Sequence, residues 1–309
     1  SPMTLVTRRY PMICILKPYN SCPQICVYCQ RNWEIDQVMA PGALAADEDI
    51  DRALAWIART TSLREVLVTG GDPLALVNNR LGLILERVAA IPHVERIRVG
   101  SRMLVTAPFR IDAGLCRLLA SLHEPPRREV CVVTHVEHVY EITPEFVDAV
   151  QAIRRLGISV YNQLVFTTSN SRRFEAVAVR RLLRLAGVDP YYTFCTKGKD
   201  ETREYRVPIA RIQQEAKEEA RLFPGMVRTD EAVFNLPRLG KNYLLRAQHH
   251  DVISFRPDGR RVYEFHPWEK KIRPGETFVF DDESIEVYLA RLAERGEDPA
   301  DYSSIWYYY

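Results

Sequence analysis

From residue 13 to about residue 225, short apolar and β-branched runs alternate with stretches whose apolar positions recur at helical spacing. That alternation predicts successive βα units around a parallel sheet. Six strands are expected, at residues 13–18, 65–69, 96–100, 129–134, 159–165 and 191–195, each followed by a helical pattern. Acidic side chains gather between Asp47 and Asp51, where a helix start favours negative charge, and Thr143 before Pro144 supplies an N-cap with proline at the first helical position. Gly157, Gly187 and Gly225 are expected to close helices. Beyond Gly225 the pattern changes to short strands and turns, and Pro257-Asp258-Gly259 between two apolar runs predicts a hairpin. The expected fold is therefore α/β. A partial (β/α)6 TIM-like barrel spans residues 1–225, and a smaller lid-like strand-and-turn extension spans 226–309 and ends in an aromatic tail, Trp306 to Tyr309.

Composition narrows the function classes. The 309 residues are 47% hydrophobic, enough for a large core, and 42 basic against 40 acidic side chains give no field that would draw nucleic acid or an anionic membrane. A small-molecule partner fits better. No apolar run approaches the roughly 20 residues that span a bilayer, and the first residues lack the order of a signal peptide, so a cytoplasmic location is expected. Seven cysteines, an odd number with three crowded between Cys22 and Cys29, point to a metal cluster in a reducing compartment rather than to disulfides.

Those three form Cys22-x-x-x-Cys26-x-x-Cys29 directly after the first expected strand, at the rim where active sites of such barrels sit. Three thiolates on one loop can each take one iron of a cubane and leave the fourth iron open. Buried thiols or a zinc site are the bland alternatives, although zinc would want a fourth ligand in a more usual spacing. At the end of the next strand, Gly70-Gly71-Asp72-Pro73 allows close backbone approach to a ligand, or is simply a tight βα turn. Together with Tyr28, these features resemble the radical S-adenosylmethionine (SAM) superfamily. The resemblance implies a [4Fe–4S] cluster on Cys22, Cys26 and Cys29 and SAM as cosubstrate. It also makes Tyr28, Gly70, Gly71 and Asp72 SAM-binding candidates.

Further stretches, in order to about residue 265, are similar to lysine 2,3-aminomutase and its relatives, which depend on pyridoxal 5′-phosphate (PLP). Thr7-Arg8-Arg9-Tyr10-Pro11 resembles that family's THRYP segment and implicates Arg9 and Tyr10 in PLP binding. Arg31 matches the arginine that holds the substrate α-carboxylate, for which a planar guanidinium is apt. The run from Ile91 to Arg102 resembles IPHVEIVRIGSR and adds Ser101 and Arg102 as SAM contacts. His135 and Gln163 join them by the same resemblance, and Asn162 falls at a PLP contact; a core histidine is the bland reading of His135, and His138 reads as structural. The segment from Leu236 to Lys241 stands where the family has DAPGGGGK, which makes Lys241 the residue that bonds PLP. Two departures stand out: Arg238 and Leu239 interrupt the glycine run, and Ile13 replaces a phosphate-side arginine for which Arg238 is a candidate substitute.

The family's lysine enzymes bind the distal ammonium with two aspartates, and those positions fall here at Lys197 and Asn235. An ammonium and an amide in place of two anions repel a cationic side chain and favour an anionic one. The resemblance is therefore nearest to the glutamate 2,3-aminomutase branch. It implies movement of the α-amino group of glutamate to C3, giving β-glutamate, with aspartate second, lysine a poor substrate and an external electron donor such as flavodoxin or ferredoxin. A homo-oligomer is compatible with this. The altered segment before Lys241 keeps open a radical SAM reaction without amino migration, such as decarboxylation; a cluster-bearing sensor is the non-enzyme alternative.

Overall fold

Aliphatic and β-branched residues dominate the six expected segments, and each forms a strand: β2 (Ile13–Tyr19), β3 (Glu65–Gly70), β4 (Arg96–Gly100), β5 (Glu129–Thr134), β6 (Ser159–Phe166) and β7 (Val188–Cys195). The computed structural model describes the chain except residues 1, 32–33, 36, 197–199, 237–238, 247–249 and 267–275, and except the side chains of residues 9, 200 and 201. Helices follow the strands as α1 (Asp47–Arg59), α2 (Asn78–Ala89), the single turn α3 (Met103–Thr106) with α4 (Ala113–Leu122), α5 (Pro144–Arg154), α6 (Glu175–Ala186) and α7 (Ile209–Leu222). Thr143 caps α5 by accepting from the Phe146 N–H at 3.2 Å. Gly157 and Gly187 adopt φ of +78° and +91°, the left-handed turn that ends a helix. Because Gly187 turns the chain directly into its strand, β7 starts at Val188, three residues before the expected start. Gly225 closes no helix. Helix α7 ends at Leu222 because Phe223 is extended, as the residue before a proline prefers.

Strand order follows chain order from β1 to β9. The unexpected β1 (Val6–Tyr10) runs antiparallel to β2, with a bulge between Arg8 and Tyr10. Strands β2 to β6 are parallel. Strand β8 (Glu231–Leu236) is parallel to β7, and β9 (Gly240–Tyr243) turns back along β8. A separate antiparallel sheet contains β10 (His250–Phe255), β11 (Arg261–Phe265) and β12 (Phe278–Asp281), and α8 (Ile285–Glu294) follows it. Strands β10 and β11 are the hairpin expected around Pro257 to Gly259.

The chain forms two compact units. One comprises residues 1–136, 140–162 and 183–189, the other 137–139, 163–182 and 190–309. The βα alternation stops near residue 225, but the units part earlier, within β6 and β7. In the first unit, Val66, Val68, Ile97, Val99, Val130 and Val132 are fully buried; spaced two apart, they place one face of β3, β4 and β5 in the core. At the strand starts Arg96 links Glu65 at 3.1 Å to Glu129 at 2.5 Å, while Arg98 bonds Glu65 at 2.6 Å. Charge there rivets the sheet, and the opposite strand ends carry the candidate chemistry. The second unit encloses Tyr263, Tyr288, Tyr302 and Phe265. It also buries Arg211 completely, paired with Glu215 and donating to the Ser171 carbonyl at 3.2 Å. The aromatic tail is split: Trp306 lies against Gly259, whereas Tyr307 is 82% exposed.

Candidate active site

The loop leaving β2 holds the three cysteines, and it is fixed at its root by backbone. Gly71 N–H donates to the Tyr19 carbonyl at 2.7 Å and Asp72 N–H to the Ser21 carbonyl at 2.9 Å. Ser21 is fully buried; its hydroxyl accepts from the Ala40 N–H at 2.8 Å and donates to the Gln37 carbonyl at 3.0 Å, which returns the loop to its own base. A Cβ on Gly71 would lie 2.0 Å from the Ser21 carbonyl oxygen and 2.5 Å from its nitrogen. The close approach that requires glycine here is thus to the chain's own backbone. Gly70, with φ of +126°, turns β3 into that contact.

Two of these sulfurs meet N–H donors: an Arg102 guanidinium nitrogen lies 3.5 Å from the Cys26 sulfur and the Arg31 N–H 3.3 Å from the Cys29 sulfur, while the Asp72 N–H near Cys22 is bonded to the Ser21 carbonyl. Burial first, then the proximity of Asp72, Cys29 and Cys26, pushes the Cys22 thiol up to about 12. Cys22 therefore stays protonated unless positive charge joins it, and a cationic iron cluster supplies that charge. Among the described residues no three His, Cys, Asp or Glu side chains converge as ligands of one ion. A cubane does not ask for that, since each thiolate binds a different iron. The donor set and its N–H partners fit a [4Fe–4S] cluster.

Asp72 ties the strand-end loops together. Its carboxylate accepts from Leu74 N–H at 3.1 Å and from Arg102 N–H at 2.7 Å, and burial raises it to about 6 against four hydrogen bonds that favour the anion. Ser101, 3% exposed, receives the Met103 N–H at 3.0 Å. The Arg102 side chain reaches the Glu141 carboxylate at 2.7 Å, the His135 carbonyl at 3.2 Å and the Gln24 side chain at 2.9 Å. Tyr28 and His135 are half-buried in the same unit. Arg31 gives Nε to Glu34 at 2.8 Å and one terminal nitrogen to Asn20 at 2.5 Å, while its other terminal nitrogen points at Gly70 and has no hydrogen-bond partner among the described residues. Glu34, Asn20 and Gln24 carry no motif of their own, and Glu141 stands in a stretch, Glu141-Ile142-Thr143, that resembles the aminomutase family without pointing to this contact.

The remaining expected residues divide. Tyr10 pairs across β1–β2 with Ile13, and Arg8 is committed to Pro11 and Ser62, at 2.6 and 2.8 Å. The Arg9 side chain, Lys197 and Arg238 lie outside the described residues. Asn162 is 3% exposed and accepts from the Val136 N–H at 2.8 Å while donating to the Val136 carbonyl at 3.0 Å. It shapes the loop after β5 rather than presenting an open amide. His138 bonds Glu175 at 2.9 Å, the structural role expected of it.

In the second unit Gln163 is half-buried on β6, and β8 and β9 set Asn235 directly opposite Lys241. The Lys241 ammonium lies 4.9 Å from the centre of the Tyr192 ring. This contact favours the charged ammonium, and Lys241 itself is half-buried. A cavity of about 500 Å³ lined by Gln213, Lys217, His250 and Tyr308 contains none of the expected site residues. No described helix is long and apolar enough to cross a membrane.

Comparison with known proteins agrees with this geometry. The Radical SAM superfamily model matches residues 16–180. An uncharacterized KamA family protein of Methanocaldococcus jannaschii is 50% identical over 309 residues, all of this chain and 49% of that protein. Glutamate 2,3-aminomutase of Clostridioides difficile is 33% identical over 210 residues, 68% of this chain and 48% of that enzyme. The chain thus spans about half the length of these relatives. Among solved structures, Streptococcus suis SuiB bound to S-adenosylmethionine superposes with a TM-score of 0.54 at 10% identity, covering 73% of this chain and 51% of that one. A radical SAM methyltransferase from Sphaerobacter thermophilus gives 0.51 at 16% identity over 75% of this chain and 69% of that one. Both likenesses concern the fold, a partial TIM-like α/β barrel. With its three-cysteine loop at the strand ends of that barrel and more than half its length matched, the chain belongs to the radical SAM superfamily.

Proposed function

We propose that the chain carries the catalytic core of an amino-acid 2,3-aminomutase acting on an acidic substrate, with glutamate the first choice and β-glutamate the product. SAM held at a cluster on Cys22, Cys26 and Cys29 would supply radical chemistry for hydrogen removal at C3, and PLP held by Lys241 would supply an aldehyde for the amino group. Arg31 offers its remaining guanidinium nitrogen to the substrate α-carboxylate, with Asn20 and Glu34 holding its plane. Lys241 is the amine that bonds PLP, and Tyr10 with Arg9 serves its phosphate side.

The observation that carries the substrate choice is the β8–β9 register, in which Asn235 is the cross-strand neighbour of Lys241. Side chains directly opposite across a ladder are about 5 Å apart at Cβ, so residue 235 borders whatever Lys241 holds. A neutral amide there, with a lysine at position 197, tolerates a distal carboxylate and gives a distal ammonium no anion to pair with. The likeness to glutamate 2,3-aminomutase supports the reaction class. The test is anaerobic incubation of the reconstituted protein with SAM, reductant, PLP and glutamate, aspartate or lysine, with products resolved by mass. β-Glutamate is expected. Conversion of lysine but not glutamate overturns the substrate choice, and loss of CO2 without amino migration replaces the reaction class.

A further inference from the structure

The three cluster sulfurs do not receive equivalent donors. Cys29 faces the backbone N–H of Arg31, which is neutral and fixed by the loop. Cys26 faces the guanidinium of Arg102, whose charge and reach depend on a side chain. Arg102 is itself held from four directions. Its backbone N–H is bound by Asp72, and its side chain bonds the His135 carbonyl, Gln24 and Glu141. Its side chain is 14% exposed and that of Glu141 22%, so water screens this pair incompletely.

We propose that Arg102 and Glu141 form a charge couple that sets the reduction potential of the cluster through Cys26. When an external one-electron reductant delivers its electron, the cluster gains one negative charge and no bond breaks. A cationic donor on a cluster thiolate stabilises that reduced state more than the oxidised one, so it raises the potential. Glu141, on the far side of the same guanidinium, partly cancels the effect. Arg102 is therefore a positioning and potential-setting residue, and the proposal rests on the cluster being held by Cys22, Cys26 and Cys29.

The couple predicts opposite signs for its two halves. In the reconstituted holoprotein, redox titration followed by electron paramagnetic resonance measures the midpoint potential without substrate turnover. Arg102→Gln should lower the reduction equilibrium constant about tenfold, a shift of about 59 mV to more negative potential for one electron. Glu141→Gln should move it the other way, and Arg102→Lys, which keeps the charge but not the fork, should fall between wild type and Arg102→Gln. If Arg102→Gln fails to assemble a cluster, a positive shift in Glu141→Gln together with a negative shift in Arg102→Lys decides. Variants that bind full iron with an unchanged potential, or that all shift in one direction, overturn the proposal. A wild-type protein that takes up no [4Fe–4S] cluster would instead refute the cluster assignment beneath it.

Discussion

Replacing Gly71 by alanine tests how the cluster loop is anchored. The added Cβ would sit 2.0 Å from the Ser21 carbonyl oxygen and 2.6 Å from its carbonyl carbon, where ordinary contact begins at 3.4 Å. Ser21 is fully buried, so backbone must move by more than 1 Å rather than a side-chain tip turning aside. That shift breaks the bonds from Gly71 N–H to Tyr19 and from Asp72 N–H to Ser21, now 2.7 and 2.9 Å. Each is worth about 0.5–1.5 kcal/mol. Overpacking adds roughly 1–3 kcal/mol, for a loss of about 2–6 kcal/mol. Because Ser21 precedes Cys22, cluster loading should fall with stability. Urea denaturation of the cluster-free protein, beside iron and sulfide analysis after reconstitution, reads both effects. Gly82→Ala is the control, since its Cβ meets the Leu118 side chain at 3.4 Å and the Glu86 carboxylate at 3.6 Å, ordinary contacts within α2, where alanine is favoured by up to about 1 kcal/mol. A Gly71→Ala protein with wild-type midpoint and full iron would refute the anchoring argument.

Three further outcomes are expected. Burial raises Asp282 to about 7, so between pH 4 and 7 the folded state holds a proton that the unfolded chain has released, and stability contributed by this group falls as pH rises. Three units correspond to roughly 4 kcal/mol, and Asp282→Asn should flatten the slope of unfolding free energy over that window, measured by denaturation at stepped pH. Arg211→Ala leaves Glu215 buried without its cation and should cost about 3–5 kcal/mol in the same assay. Lys241→Ala should abolish the visible absorbance of bound PLP and the aminomutase activity while leaving iron content unchanged; retained absorbance and activity would remove Lys241 from the proposed role.

What could be read without coordinates was whatever is encoded by near neighbours. Alternating and continuous apolar runs marked β2 to β7, because a strand with one face in the core must be apolar at every second position. Thr143-Pro144 and Gly187 marked boundaries because capping acts within one turn. The CxxxCxxC spacing marked the cluster loop because three ligands on one loop are a local arrangement. Strand β1 escaped, since its pairing with β2 depends on a turn and a bulge rather than on periodicity. So did the end of α7, where Pro224 acts and Gly225 does not.

The paired glycines show the division most clearly. Their freedom was legible, but that Gly71 meets Ser21 rather than only a ligand is a contact between positions 50 residues apart, about which local sequence says nothing. Arg102 was legible as part of a motif, yet its bonds to Asp72 and Cys26 span 30 and 76 residues. Asn162 was likewise legible as part of a motif, yet its bonds to the Val136 N–H and carbonyl span 26 residues. By itself, then, the sequence determined the βα order and the candidate ligands of a cluster, because periodicity and short spacing act along the chain. The donors that the sulfurs receive, and which polar groups remain open, were decided only by tertiary structure, because hydrogen bonds are assigned by proximity in space.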